Sequence, residues 1–181
     1  MADRELVTQS SKAIRILGID PGLNITGYGV IEAGERGPKV IEAGVVRGTV
    51  KGSLAKRLAE IHAGIAEVIA QHKPTAVALE ELYSHYERPR TAILMGHARG
   101  VIVLAAAQTG IAVFPYAATK VKKLLTGNGR APKPQMQQAV CREFGLTSAP
   151  EPPDVADALA IALSHLFASQ LPTLKELTRK K

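Results

Sequence analysis

Three extended runs stand in succession before any helical periodicity begins, and that order restricts the fold more than any other property of the chain. Residues 14–20 are apolar and partly β-branched and close on Asp20-Pro21-Gly22. A short turn signal leads to a second run at 25–32. Gly34, Gly37 and Pro38 then separate it from a third at 39–47, rich in Val and Ile. Glycine and proline punctuate strands because they supply the backbone angles that a tight turn needs. The spacing predicts a hairpin extended into a three-stranded meander. From Ser53 the pattern changes: Leu54, Leu58, Ile61, Ile65, Val68 and Ile69 recur mostly at spacings of three and four. That is an amphipathic helix, with Ser53 as its N-cap and Lys73-Pro74 as its stop.

The rest of the chain alternates. Residues 75–79 are apolar with little alternation, as in a strand covered on both faces, and Glu80 follows at the carboxyl end. Residues 92–108 predict a helix that is apolar nearly all round and crowded with Ala and Gly, which implies burial in the monomer core or in a subunit contact. A fifth strand is expected at 111–116. Helices at 119–125 and 135–144 flank a loop at 127–134 with Gly, Pro, Arg130 and Lys133. A last helix starts near Asp154, after Pro152-Pro153, and runs through Phe167. The succession describes an α/β fold with a mixed five-stranded sheet flanked by helices. Residues 1–12 read as a frayed tail, 13–170 as a single domain and 171–181 as a basic tail.

Composition narrows the class of partner. The 23 Lys and Arg outnumber the 16 Asp and Glu, leaving a net charge of +7, which favours a polyanion such as nucleic acid. The single cysteine, Cys141, excludes an intrachain disulfide or a cysteine-rich zinc site and favours a reducing compartment. No 18-residue apolar run is unbroken, since the most apolar stretch, 92–107, contains Gly96, His97 and Arg99. The expectation is no membrane span and a cytoplasmic address.

Against that basic background, four acids occupy three separate places: Asp20, Glu80, and the pair Asp154 and Asp157. If the first and fourth strands are neighbours, Asp20 and Glu80 meet at the carboxyl edge of the sheet, the usual ligand site of open α/β sheets. Asp154 and Asp157, three apart, share one face near the start of a helix. Four carboxylates suit two hard cations, which at a separation of roughly 3.5–4 Å stabilise the attacking and leaving oxygens of a phosphodiester. Taken singly, each acid has a simpler reading. Asp20 opens a turn, Glu80 and Glu81 are a solvated pair, and Asp154 and Asp157 answer a helix macrodipole. The simpler readings weaken for the last pair, because Val155, Ala156, Ala158, Leu159, Ala160 and Ile161 around it are all apolar.

The strings Leu17-Gly18-Ile19-Asp20-Pro21-Gly22, Ala78-Leu79-Glu80, His97-Ala98-Arg99-Gly100 and Asp154-Val155-Ala156-Asp157-Ala158-Leu159-Ala160 resemble, in order and spacing, the RuvC family of Holliday-junction resolvases. The resemblance covers residues 14–168 and implies a ribonuclease H-like fold. It implies a homodimer, a four-way DNA junction as substrate, and Mg²⁺-dependent nicking of two opposed strands to leave 5′-phosphate and 3′-hydroxyl ends. Two Mg²⁺ ions per site are expected, with Mn²⁺ able to substitute. Asp20, Glu80, Asp154 and Asp157 match the family's catalytic, metal-binding acids. Lys122, Lys133 and Arg130 fall where the family contacts DNA, and Tyr83 where it carries an aromatic side chain that stacks on an unpaired base. The RuvA–RuvB branch-migration complex is an implied partner. The chain departs from the familiar pattern at His97, where many relatives have Gln, at Tyr83, where others have Phe, and at 84–90, one residue longer than in some relatives.

Three other readings compete. The YqgF family of ribonuclease H-like nucleases begins with a similar strand but is disfavoured by the long basic loop and the Asp154-x-x-Asp157 helix. Actin-like sugar kinases share the Asp20-Pro21-Gly22 and Thr26-Gly27 pattern, yet 181 residues leave little room for their second domain. A binding module without metals has no use for clustered acids facing phosphates.

Overall fold

The computed structural model of the protein describes residues 13–82 and 89–170. Its elements run β1 (Arg15–Asp20), β2 (Ile25–Glu32), β3 (Lys39–Arg47), α1 (Leu54–His72), β4 (Ala76–Glu80), α2 (Pro89–Gln108), β5 (Val113–Tyr116), α3 (Ala118–Thr126), α4 (Lys133–Phe144) and α5 (Pro153–Gln170). The strands form one sheet in the order β3-β2-β1-β4-β5. The first three are an antiparallel meander, as expected, and β4 and β5 add in parallel on the other side of β1. Each parallel step needs a crossover helix, and α1 and α2 supply them.

Side-chain alternation divides the sheet between two layers. Leu17, Ile19, Val77 and Leu79 pack against Ile61 and Ile65 of α1 and Ile102 of α2. Ile16, Ile31 and Ala78 point the other way, toward α3, α4 and α5. Asp20 and Glu80 are in phase with Ile16 and Ala78, so the same alternation directs both acids to the α5 side. Helix α1 begins as its sequence requires, with the Ser53 hydroxyl accepting from the Lys56 N–H at 3.3 Å.

Four details differ from expectation. Helix α2 is not enclosed: Ala98, Ile102, Ala105 and Ala106 are buried against the sheet layer, whereas Ile93 is 62% and Leu104 50% exposed. Over Arg90–Gln108 this helix is also long and apolar enough to cross a membrane by length and composition, because isolated Gly96, His97 and Arg99 do not dilute it sufficiently. Its inner face is nevertheless docked on the core beside α1. The loop predicted over 127–134 ends early, since Pro134 falls at a position where a helix needs no N–H from it, and α4 starts at Lys133. Strand β5 begins at Val113 rather than residue 111, after a left-handed Gly110.

Candidate active site

The acids converge because of what lies beneath them. In the β1–β2 register Gly18 faces Gly29 and Asp20 faces Gly27, so three glycines make a shallow track on the side that α5 covers. A Cβ at Gly18 would overlap the Ala158 carbonyl oxygen and approach the Ala162 nitrogen to 2.6 Å. One at Gly27 would overlap the Asp154 carbonyl, and one at Gly29 would come within 2.6 Å of Leu159 Cδ2. With side chains there α5 would have to ride higher. Without them, its first turns lie directly on the strands and bring Asp154 and Asp157 to the ends of β1 and β4. Sequence reasoning missed this track. The signal was present as the spacing Gly18, Gly27 and Gly29, but it acquires meaning only once the β1–β2 register is known.

The four acids are not equivalent. Asp20 is pushed up from 3.8 to about 8, first by burial, then by the charge of Glu80 and a hydrogen bond to it, and by the charges of Asp157 and Asp154. Glu80 is also raised, by burial above all and by Asp157, while the hydrogen bond from Asp20 and the charge of Lys122 act against the rise. Both shifts describe one arrangement, two buried carboxyls hydrogen-bonded to each other, with Asp20 the harder to ionise. Asp157 is more open and takes a hydrogen bond from Lys133 Nζ at 3.2 Å, with the two side chains 39% and 53% exposed. An ion pair that open stabilises little.

A cavity of about 250 Å³ lies over these groups, lined by Glu80, Lys122, Lys133 and Asp157 among polar residues and by Val121, Met136 and Ile161 among apolar ones. The lysines expected to bind phosphate thus share a cleft with two of the acids. Arg130 does not line it; that residue is exposed in the loop before α4, its backbone N–H bonded to Asn128 Oδ1 at 2.9 Å. Tyr83 lies outside the described residues. Outside the cleft, the end of β5 is tied to α5 by Tyr116 Oη and His165 Nδ1, buried and 3.0 Å apart. His165 sits eight residues, about two helical turns, beyond Asp157 on α5.

As donors the residues fit hard cations: crowded carboxylates, two of them raised above their usual range first by burial and then by one another, beside a polar cleft. Among the described residues no three of them are already drawn into a ligating cluster. Asp157 is turned to Lys133 and Asp20 to Glu80.

Comparison with known proteins decides the family. The profile described as Crossover junction endodeoxyribonuclease RuvC matches residues 16–165. The chain belongs to the RuvC family. A RuvC of that description from Rhodopirellula baltica is 53% identical over 174 residues, 95% of this chain and 97% of its own. Among solved structures, RuvC of Thermus thermophilus in complex with Holliday junction substrate is 35% identical, with a TM-score of 0.81, covering 87% of this chain and 95% of that one. The yeast mitochondrial Holliday junction resolvase Ydc2, at 12% identity, shares the fold with a TM-score of 0.67, over 92% of this chain and 84% of its own. The mixed sheet with helices on both faces is therefore the ribonuclease H-like fold of RuvC.

Proposed function

We propose that this RuvC-family chain is a crossover junction endodeoxyribonuclease, which resolves Holliday junctions in recombination and repair by hydrolysing phosphodiesters in two opposed strands. The observation that carries the reading is the meeting of Asp20, Glu80 and Asp157 with Lys122 and Lys133 at one edge of the sheet. Asp20, Glu80, Asp154 and Asp157 would hold the cations, two Mg²⁺ per site with Mn²⁺ as a substitute. Bound there, the cations supply an activated water and the charge that steadies the transition state, leaving 5′-phosphate and 3′-hydroxyl ends.

The chain's own groups do the rest. The carboxyls of Asp20 and Glu80, buried at strand ends, fix where positive charge can sit, and a cation held there would favour the ionised form of Asp20. The ammonium groups of Lys122 and Lys133 grip the phosphate in the cleft, and Arg130 reaches a phosphate further along the backbone. Tyr83 stacks on an unpaired base near the crossover. The walls of Val121, Met136 and Ile161 exclude bulk water from one side of the phosphate, which strengthens every charge interaction there.

A four-way junction has two equivalent strands to cut, so a homodimer presenting two sites related by a two-fold axis matches it. The outer face of α2, with Ile93 and Leu104 exposed and Gly96 and Gly100 open to close approach, is the surface that a second copy covers. Acting on DNA, the protein would work in the cytoplasm, with the RuvA–RuvB complex as its branch-migration partner. Incubation with a synthetic four-way junction and a matched linear duplex, in Mg²⁺ or EDTA, tests the function. Paired symmetric nicks confined to the junction and lost in EDTA are expected; cutting of both DNAs alike, or cutting in EDTA, contradicts it.

A further inference from the structure

Two of the sequence motifs meet at the backbone of Glu80. Val77 and Glu81 send their N–H groups to β5, to the carbonyls of Ala112 at 3.0 Å and Tyr116 at 2.9 Å. Glu80 is out of phase with both, so its own N–H and C=O face β1. There the parallel ladder stops at the pair Ile19 and Leu79. The next donor that β1 would offer to the Glu80 carbonyl belongs to residue 21, and residue 21 is a proline with no N–H. The N–H of Gly22 is directed elsewhere, to Thr26 Oγ1 at 3.3 Å. Arg99 of α2 fills the gap: its Nε donates to the Glu80 carbonyl oxygen at 3.3 Å.

We propose that Arg99 is a positioning residue, whose guanidinium replaces the ladder donor that Pro21 cannot supply and so fixes the peptide from which the Glu80 carboxylate projects. A strand end left without its last hydrogen bond frays, and a carboxylate on a fraying residue ligates poorly. Arg99 also shares a cavity of about 370 Å³ with Glu81, Leu82, Gly96 and Gly100. Water entering that space can satisfy the carbonyl when the guanidinium is removed, so the fold survives while the orientation of Glu80 is lost. The same bond ties the metal site to α2, whose outer face carries the exposed Ile93 and Leu104. The inference rests on the reading of Glu80 as a cation ligand.

Titration calorimetry with Mn²⁺ on the full chain, without DNA, tests it in the wild type, Arg99→Met, Arg99→Lys, Glu80→Gln and the double variant Pro21→Ala/Arg99→Met. Arg99→Met is expected to weaken Mn²⁺ binding about tenfold, the size usual for a group that orients a metal ligand, with junction binding in EDTA unchanged. Arg99→Lys keeps a charged donor and loses less. The double variant regains part of the loss, because residue 21 again has an N–H to offer. Wild-type Mn²⁺ affinity in every Arg99 variant that folds overturns the proposal. So does a loss of junction binding in EDTA that accounts for the whole effect, which makes Arg99 a phosphate contact. If the wild type binds Mn²⁺ no better than Glu80→Gln, the metal-site reading falls and the proposal with it.

Discussion

Glu60, in the second turn of α1, and Asp20, at the end of β1, are both carboxylates, and their surroundings are opposite. Glu60 on α1 accepts from the Thr49 N–H at 2.6 Å and from the Thr49 hydroxyl at 2.7 Å, and Lys56 stands 3.9 Å away. Those hydrogen bonds hold its carboxyl below the usual range. Asp20 is buried among Glu80, Asp157 and Asp154 and is pushed up to about 8. A carboxylate that serves the fold is answered by the chain's own donors. One crowded with its like and given no such donors costs stability, which marks it as a candidate for a functional site.

Removing carboxyls at each place should separate the two roles most sharply. Asp20→Asn or Glu80→Gln is expected to lower junction cleavage by about 10³-fold while junction binding persists, whereas Glu60→Gln leaves single-turnover cleavage within about twofold of wild type. Equal losses at the two positions would erase the distinction. Lys122→Ala and Lys133→Ala follow in size, with cleavage down about 10- to 100-fold and the slope of junction affinity against salt reduced by about one each. A slope that does not change would make these lysines a solvated face.

The site's cost in packing is tested at Gly27. Gly27→Ala places a Cβ against the Asp154 carbonyl and is expected to cost about 1–3 kcal/mol in denaturant unfolding, with weakened metal binding as α5 is lifted. An unchanged midpoint would mean that α5 shifts freely. The smallest effect distinguishes the acids by sign. Asp20 titrates at about 8 in the fold and near 3.8 unfolded, so the folded state binds an extra proton through that window. The metal-free protein should lose stability as pH rises across it, and Asp20→Asn should remove the slope and gain stability at the alkaline end. Glu60, lowered, contributes above its ordinary 4.5, and that contribution disappears as pH falls through its folded value. Melting curves across pH for the two variants decide whether the signs differ.

Much of this was legible in the chain because it is local. β2 and β3 have the predicted bounds, and Ser53 and Lys73 cap α1 where the apolar spacing starts and stops. Asp20 and Glu80 end their strands as expected, since the apolar runs break there. What sequence did not disclose depends on pairing across the fold. Gly18, Gly27 and Gly29 form a track only when β1 and β2 are in register. The role of Arg99 depends on which side of β4 the Glu80 carbonyl faces. Composition could not say which half of α2 is covered, because Ile93 and Leu104 are as apolar as Ile102, and only packing on α1 and the sheet distinguishes them.

Asp20 and Glu80, both raised and hydrogen-bonded to each other, are expected to lose a shared proton when a cation binds. Mn²⁺ titration calorimetry at pH 7, repeated in buffers of different ionisation enthalpy, measures that loss directly. Binding to the wild type should release about one proton, and Asp20→Asn should bind far more weakly and release none. Tight binding without proton release, or undiminished binding by Asp20→Asn, would contradict the account.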